Sequence, residues 1–337
     1  MRILNGDNLQ ILKSLEGERF DLAELDGPYM AGLEGWDILT EAEYIQHYAE
    51  RLTALRPLLQ PWGVVFVFGY PEGCAEIKSW AHRTETLYCR RWLTWYKQVT
   101  AHKGRKVENV LLFWKDDPAK SLKDTGELLR KHRESKGYTL RQVGEMAGRE
   151  WWHRGGNLYF ENGNGGFATL DDIYKLSKIF GFSLSDWKHP FVENYEGITD
   201  VDYFSKTYPE QTESLNDDGL RSKPVGLYVD LFKPTIPPTE KRKALVLYGG
   251  SGNAAIAAEA LGYEVTVIEQ DPKRCKLIEK RSSRLVQTWR EKLSQGSLWG
   301  FPTPLALDGG DSAAQLAFST PEVLSTLQGE STPAHRK

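Results

Sequence analysis

With 337 residues, 40% hydrophobic and 26% charged, the chain has the composition of a globular protein of two domains or one elaborated domain. A formal charge of −3 gives no global basic field, so any nucleic-acid contact must come from local patches. Three widely separated cysteines, Cys74, Cys89 and Cys275, argue against a disulfide framework or paired metal spacing, and no run of about 20 apolar residues marks a membrane span. No apolar signal region opens the sequence, so a reducing, cytoplasmic setting is expected, without membrane contact.

In chain order, "FDLAEL" (20–25) reads as a short buried strand. It ends abruptly in Asp26-Gly27-Pro28-Tyr29. "TEAEYIQHYAERLTALRPLL" has helical periodicity, with Thr40 as N-cap and Glu43 as its capping-box partner. "GVVFVFG" (63–69), β-branched and aromatic between glycines, predicts a central strand, and "WLTWYK" and "VENVLLFWK" predict two more. Residues 1–118 are therefore α/β material.

Composition changes near Lys120. Residues 120–160 carry nine Lys/Arg against five Asp/Glu, and short helical segments follow one another to about Trp187. A small helical domain is expected over 119–190. Residues 191–231 read as a connecting segment with little regular structure. Residues 232–295 return to α/β patterning, and 296–337, rich in Gly, Ser, Thr, Pro and Ala, read as a flexible tail.

The segment 243–274, "KALVLYGGSGNAAIAAEALGYEVTVIEQDPKR", gives strand, glycine turn, small-residue helix, second strand and a terminal acid, Glu269. Gly249, Gly250 and Gly252 let the backbone approach a ligand at a helix N-terminus, and Glu269 is placed to hold ribose hydroxyls. The spacing differs from the GxGxxG dinucleotide pattern, so NAD is not favoured. The seven histidines show no ligand spacing, and no metal is expected.

Taken together, two of these pieces carry a resemblance. Tyr248-Gly-Gly-Ser-Gly252 resembles the FxGxG motif, and Asp26-Gly-Pro-Tyr29 the DPPY motif, of S-adenosylmethionine-dependent DNA amino-methyltransferases. With the catalytic motif first and the cofactor motif last, the order is similar to the permuted β-type subclass acting on adenine N6 or cytosine N4. Four further segments fit in sequence: "LNGDNLQILKSL" with Asp7, "PWGVVFVFG", "GRKVENVLLFWK", and "LFKPT" with Lys233 and Pro234. The resemblance covers about residues 1–115 and 225–290.

It implies a doubly wound, permuted Rossmann-like methyltransferase sheet with S-adenosyl-L-methionine as cofactor. Asp26, Gly27, Pro28 and Tyr29 would be catalytic. Asp7, Lys233, Pro234, Tyr248, Gly250, Gly252, Asn253 and Glu269 would hold the cofactor. An exocyclic amino group is a poor nucleophile because its lone pair is delocalised into the ring. Asp26 and the Gly27 carbonyl would accept its protons while Tyr29 stacks on a flipped base. The sequence departs from the family at Gly27, at Val246-Leu247, where an acid often stands, and at Asn253. Adenine N6 in DNA is the expected target; a weakened or inactive DNA-binding protein and a cytosine-N4 enzyme remain the alternatives.

The segments 126–148 and 159–187 resemble a phage-repressor-like helix-turn-helix domain, with Thr139 capping its second helix and Leu140, Val143 and Ala147 forming an apolar stripe. This small all-α inserted domain would recognise the target. Lys97, Arg105, Arg130, Arg133, Arg141 and Arg154 are candidate DNA contacts, with Lys103, Lys106 and Lys131 beside them. Trp151 and Trp152 are read as core. A bacterial or phage setting of DNA modification, linked to restriction-modification, and a homodimer are further expectations.

Overall fold

The computed structural model describes residues 1–32, 37–97, 107–148, 168–184, 187, 203–205, 222–237 and 241–295. Arg105, Arg154, Lys103, Lys106 and the Trp151-Trp152 pair lie outside the described residues, as does the tail 296–337. Of two compact units, Met1–Lys292 carries the whole sheet, and little of the second, Leu293–Lys337, is described.

Eight strands form one sheet: β1 (Arg2–Asn5), β2 (Phe20–Leu25), β3 (Leu59–Gly69), β4 (Tyr88–Tyr96), β5 (Val107–Trp114), β6 (Tyr203–Ser205), β7 (Arg242–Val246) and β8 (Tyr263–Glu269). Their order is β1-β8-β7-β2-β3-β5-β4-β6. The first five run parallel, β5 is antiparallel to β3 and β4, and β6 is parallel to β4. From β2 the chain steps outward to β3; from β7 it steps the other way to β8. The β2/β7 boundary is thus the topological switch point, where open α/β sheets bind ligands beyond the carboxyl ends of the strands. This is the permuted, doubly wound α/β order that the sequence predicts.

Strand β2 reads as an apolar run because all six of its residues are buried, as for a parallel strand covered on both faces. Its two acids are exceptions with different solutions. Asp21 accepts from the Trp62 indole (2.7 Å) and from the Lys243 backbone N–H (2.7 Å), stitching β2 to its neighbours on both sides. Glu24 finds no such partners and belongs to the site described below.

Helix α1 (Asn8–Ser14) starts at Asp7, whose side chain caps it by accepting from Gln10 N–H (3.0 Å). Helix α2 (Glu41–Leu55) starts at Thr40 with the full capping box to Glu43. Tyr44, Tyr48, Leu52 and Leu55 recur at helical spacing and are fully buried against β2 and β3. The flank beside that stripe turns His47 and Arg51 toward the end of β2. Helix α3 (Pro71–Arg83) follows β3.

A second apolar core lies among α4 (Pro118–Ser135), α5 (Leu140–Met146) and α6 (Leu170–Phe180). Leu129, Val143, Ala147, Ile173, Leu176 and Phe180 make it. Thr139 and Thr169 close capping boxes at α5 and α6.

The stretch 191–231 departs from the expectation of an irregular connection. It supplies β6 to the sheet edge, and its end enters α7 (Val225–Phe232). Seven of the eight residues of α7 are buried, so it has no polar face and leaves no 3.6-residue period in the sequence. The chain closes with α8 (Asn253–Ala260) and the long, basic α9 (Pro272–Ser294). No helix among the described residues is long and apolar enough to cross a membrane.

Because α2 carries His47, Tyr48 and Arg51, its cap matters beyond local helix stability. Thr40→Ala removes the acceptor for Glu43 N–H and should cost ~1 kcal/mol in urea unfolding, with an unchanged m-value.

Candidate active site

A cleft of about 840 Å³ opens at the carboxyl ends of β2 and β7. Such a volume suits a cofactor-sized ligand. Two chain segments build most of its wall. Asp26-Gly27-Pro28-Tyr29 leaves β2, and Tyr248-Gly249-Gly250-Ser251 leaves β7.

The first segment is pinned along its length. Tyr29 N–H donates to the buried Asp37 carboxylate (2.6 Å). Tyr48 O–H donates to the Pro28 carbonyl (3.1 Å). The Tyr29 hydroxyl donates to Asp26 Oδ1 (2.6 Å), and its ring meets Tyr70 edge-on at 5.0 Å. Burial first, and then the Asp26 carboxylate, push the Tyr29 phenol well above its usual range.

Gly27 is fixed by space rather than by backbone angle. A β-carbon there would lie 2.8 Å and 2.9 Å from ring carbons of Tyr248 and 3.0 Å from the Tyr48 hydroxyl. Glycine's extra ordering entropy costs roughly 0.5–1 kcal/mol. Forcing a carbon into a filled site costs about 1–3 kcal/mol. The crowding term is the larger, so glycine is the residue that fits. Tyr248 is itself held: its hydroxyl lies 2.5 Å from His47 Nε2, and the two rings stack at 6.0 Å. Burial, and then the Arg51 guanidinium, push the His47 imidazole down to about 4, so it is neutral at pH 7.

The second segment turns through Gly250 (φ 50°) and Gly252 (φ 86°), backbone conformations that side chains resist. Gly250 N–H donates to Glu269 Oε2 (2.7 Å), and Asp271 N–H donates to Oε1 (2.8 Å). These two bonds fix the Glu269 carboxylate at the wall of the cleft. Asn253 begins α8, and its side-chain amide donates to the Lys223 carbonyl (2.7 Å) while Arg281 donates to its oxygen (3.0 Å). Gly252 packs under Ile278 and does not line the cleft. Asp7 also lines the cleft, 3.7 Å from Arg51.

The structure adds groups to the cleft that carry no pattern in the sequence. Lys223, just ahead of α7, reaches both oxygens of Asp26 (2.7 Å and 2.6 Å). Tyr228 O–H on α7 donates to Asp26 Oδ2 (3.2 Å). Glu108 on β5 pairs with Lys97, and its Oε2 lies 3.3 Å from the Lys223 ammonium. Burial alone would raise the Glu108 carboxyl, but the two lysines outweigh it and hold it below its usual range. Burial would likewise lower Lys223, yet Asp26 and Glu108 hold its ammonium above the usual range. Glu24, fully buried two residues before Asp26, is pushed well above its usual range by burial and then by Asp26.

The lysine expected in the cleft was Lys233, with Pro234. That pair instead forms a 3-10 turn after α7 and does not line the cleft. The Lys-Pro dipeptide occurs twice, ten residues apart, and the cleft holds Lys223, which precedes Pro224. Lys97, expected at the DNA backbone, is buried in the same cleft on Glu108, so it is not a surface phosphate contact. On α4, Arg130 and Lys131 are exposed, whereas Arg133 donates back to the Tyr138 carbonyl (3.0 Å). Arg141 on α5 is exposed and pairs with Glu145 (2.7 Å).

A family profile described as DNA methylase, of the N6/N4 type, matches residues 20–280 and so spans both halves of the cleft. The chain belongs to this DNA methylase family. Among solved structures, the methylase is similar to TTHA0409 of Thermus thermophilus in complex with S-adenosyl-L-methionine (16% identity over 85% of this chain and 94% of that one, TM-score 0.46). It is also similar to M1.HpyAVI with the same compound (13% identity, 83% and 98% coverage, TM-score 0.45). A third is the cytosine-N4-specific PvuII DNA methyltransferase (9% identity, 86% and 91% coverage, TM-score 0.49). No curated protein sequence matches.

The family's methyl donor, S-adenosyl-L-methionine, fits the chemistry of the donor set. Glu269 and Asp7 bring carboxylates to the cleft wall, and the glycine turn offers room beside α8.

Two measurements follow from this geometry. Gly27→Ala should lose about 1–3 kcal/mol of stability in the wild type and clearly less in a Tyr248→Ala background, a double-mutant cycle read by urea unfolding. Between pH 6.5 and about 4 the unfolded chain takes up a proton that folded His47 refuses, so acid destabilises the fold. A melting-temperature series across that window should show a flatter slope for His47→Asn than for the wild type.

Proposed function

We propose that the methylase transfers the methyl group of S-adenosyl-L-methionine to the N6 amino group of an adenine flipped out of DNA. The observation carrying this reading is Asp26: a carboxylate fixed at the end of β2, beside the glycine turn that ends β7. Bound S-adenosyl-L-methionine supplies an electrophilic methyl on a sulfonium. The chain supplies position, which is worth several kcal/mol when reacting atoms are held near contact. Asp26 accepts one amino N–H and the Gly27 carbonyl the other, which localises the nitrogen lone pair toward the methyl. Tyr29, braced by Tyr70, offers the base a stacking face. As the N–C bond forms and the S–C bond breaks, Asp26 is placed to receive the proton that the nitrogen sheds. Glu269, Gly250 and Asp7 line the cofactor end of the cleft.

The helices α4 to α6, with their own core, are read as an inserted helix-turn-helix-like domain that recognises the target sequence, with Arg130, Lys131 and Arg141 as exposed candidates for phosphate contact. Its boundaries are taken as 119–190, between a catalytic half (1–118) and a cofactor half (232–295) joined through 191–231.

Nucleoside mass spectrometry after incubation with S-adenosyl-L-methionine and unmethylated DNA of mixed sequence should show N6-methyladenine. Finding N4-methylcytosine alone would refute the adenine assignment. Asp26→Asn, which keeps shape but not charge, should lower the rate by about 10²–10⁴-fold.

A further inference from the structure

We propose that Lys223 is a stand-in for the target base: its ammonium occupies the amino-group subsite at Asp26 and moves to Glu108 and Glu24 when the base enters. The inference rests on the reading of Asp26 and Tyr29 given above.

Three observations converge on it. The ammonium donates to both Asp26 oxygens, at 2.7 Å and 2.6 Å, and so uses the acceptors assigned to the substrate's amino group. The same nitrogen lies 4.9 Å from the centroid of the Tyr29 ring, over the face assigned to stacking. An amino group on a flat base would claim both places at once, so base and ammonium exclude each other.

The third observation supplies the second position. Neither oxygen of Glu24 has a hydrogen-bond partner among the described residues, although the side chain is fully buried. Glu108 Oε2 is likewise without a hydrogen bond, and at 3.3 Å from the ammonium it is an ion pair waiting for better geometry. Buried acceptors are normally satisfied, and each exception asks for a reason. A lysine that leaves Asp26 without leaving the cleft needs acceptors of this kind. Its main chain is anchored, because Asn253 at the start of α8 donates to the Lys223 carbonyl (2.7 Å) and Pro224 follows, so the movement belongs to the flexible side chain. Of the other charged and titratable groups around it, Lys97 pairs with Glu108, and Tyr29 and Tyr228 donate to Asp26.

A competitor built into the site lowers apparent affinity by the fraction of molecules in which the subsite is open. Steady-state methyl transfer to sheared unmethylated DNA, with S-adenosyl-L-methionine binding followed by calorimetry, separates this from a purely structural role. Lys223→Met should lower the KM for DNA by about tenfold while kcat does not rise, since damage to the fold would raise KM instead. Glu24→Gln replaces one landing oxygen with an amide nitrogen that cannot accept the ammonium, keeps the shape, and should raise the KM for DNA with an unchanged Kd for the cofactor; it decides the matter if Lys223→Met does not fold. A KM equal to or above wild type for Lys223→Met, or an unchanged KM for Glu24→Gln, overturns the proposal while wild-type activity stands. A wild-type protein that transfers no methyl group overturns the reading beneath it as well.

Discussion

Three residue pairs of parallel strand, Leu22 with Ala244 through Glu24 with Val246, bring the two halves of the site together. Asp26 and Tyr248 are 222 positions apart in the sequence, yet each leaves its strand two residues beyond the last of those pairs. Everything chemical in the cleft depends on that register. A slip of one residue would turn Glu24 and the following carboxylate to the opposite face of the sheet. The ties around the pairing resist a slip: Asp21 bridges Trp62 and Lys243 at one end, and Leu247 N–H donates to the Glu24 carbonyl (3.0 Å) at the other.

The site then faces a problem of charge. Asp26, Glu108, Lys97 and Lys223 line one cleft, and Glu24 is fully buried two residues before Asp26. Removing one member of a buried pair typically costs about 3–5 kcal/mol, because its partner is left uncompensated. Two carboxylates against two ammonium groups balance, and burial, then the Asp26 carboxylate, raise the carboxyl of the fifth member, Glu24. The arrangement is held by α7, whose unbroken apolar sequence lets it sink against Phe66 and Phe68 and bring Lys223 and Tyr228 in with it. Burial of that short helix is therefore a condition for the electrostatics at Asp26.

Much of this was legible in the sequence, for reasons that differ by residue. Strands β2 and β3 announce themselves because strands covered on both faces are apolar throughout, and α2 does so through a capping box and a clean buried stripe. The glycine turn is visible because only glycine takes φ of 50° and 86° comfortably. Helix α7 was hidden by the same rule that revealed β2: an element buried all round has no period. Lys223 was hidden by a near copy, Lys233-Pro234, ten residues on and closer to the glycine turn. Local patterning does not tell two Lys-Pro pairs apart; the packing of α7 does. Lys97 reads as a DNA contact and Glu108 carries no signal, because pairing across adjacent antiparallel strands leaves no mark in a linear sequence.

Gly27 shows how an apparent loss can be an exchange. In sequence it reads as a proline lost from the loop that needs rigidity most. In the structure the volume of that ring is taken by Tyr248, 221 residues further along the chain, and the rigidity is supplied by bonds to its neighbours: Tyr48 on Pro28, Asp37 on Tyr29 and His47 on Tyr248. The same reasoning applies to the missing acid before the glycine turn. Val246 stands there, but its partner across the strand boundary is Glu24, so a carboxyl is present one strand over. Both departures pair a residue of the catalytic half with one of the cofactor half. A loop decaying on its own would lose contacts singly; here each loss is matched across the β2/β7 boundary, which argues that the two halves were adjusted to each other.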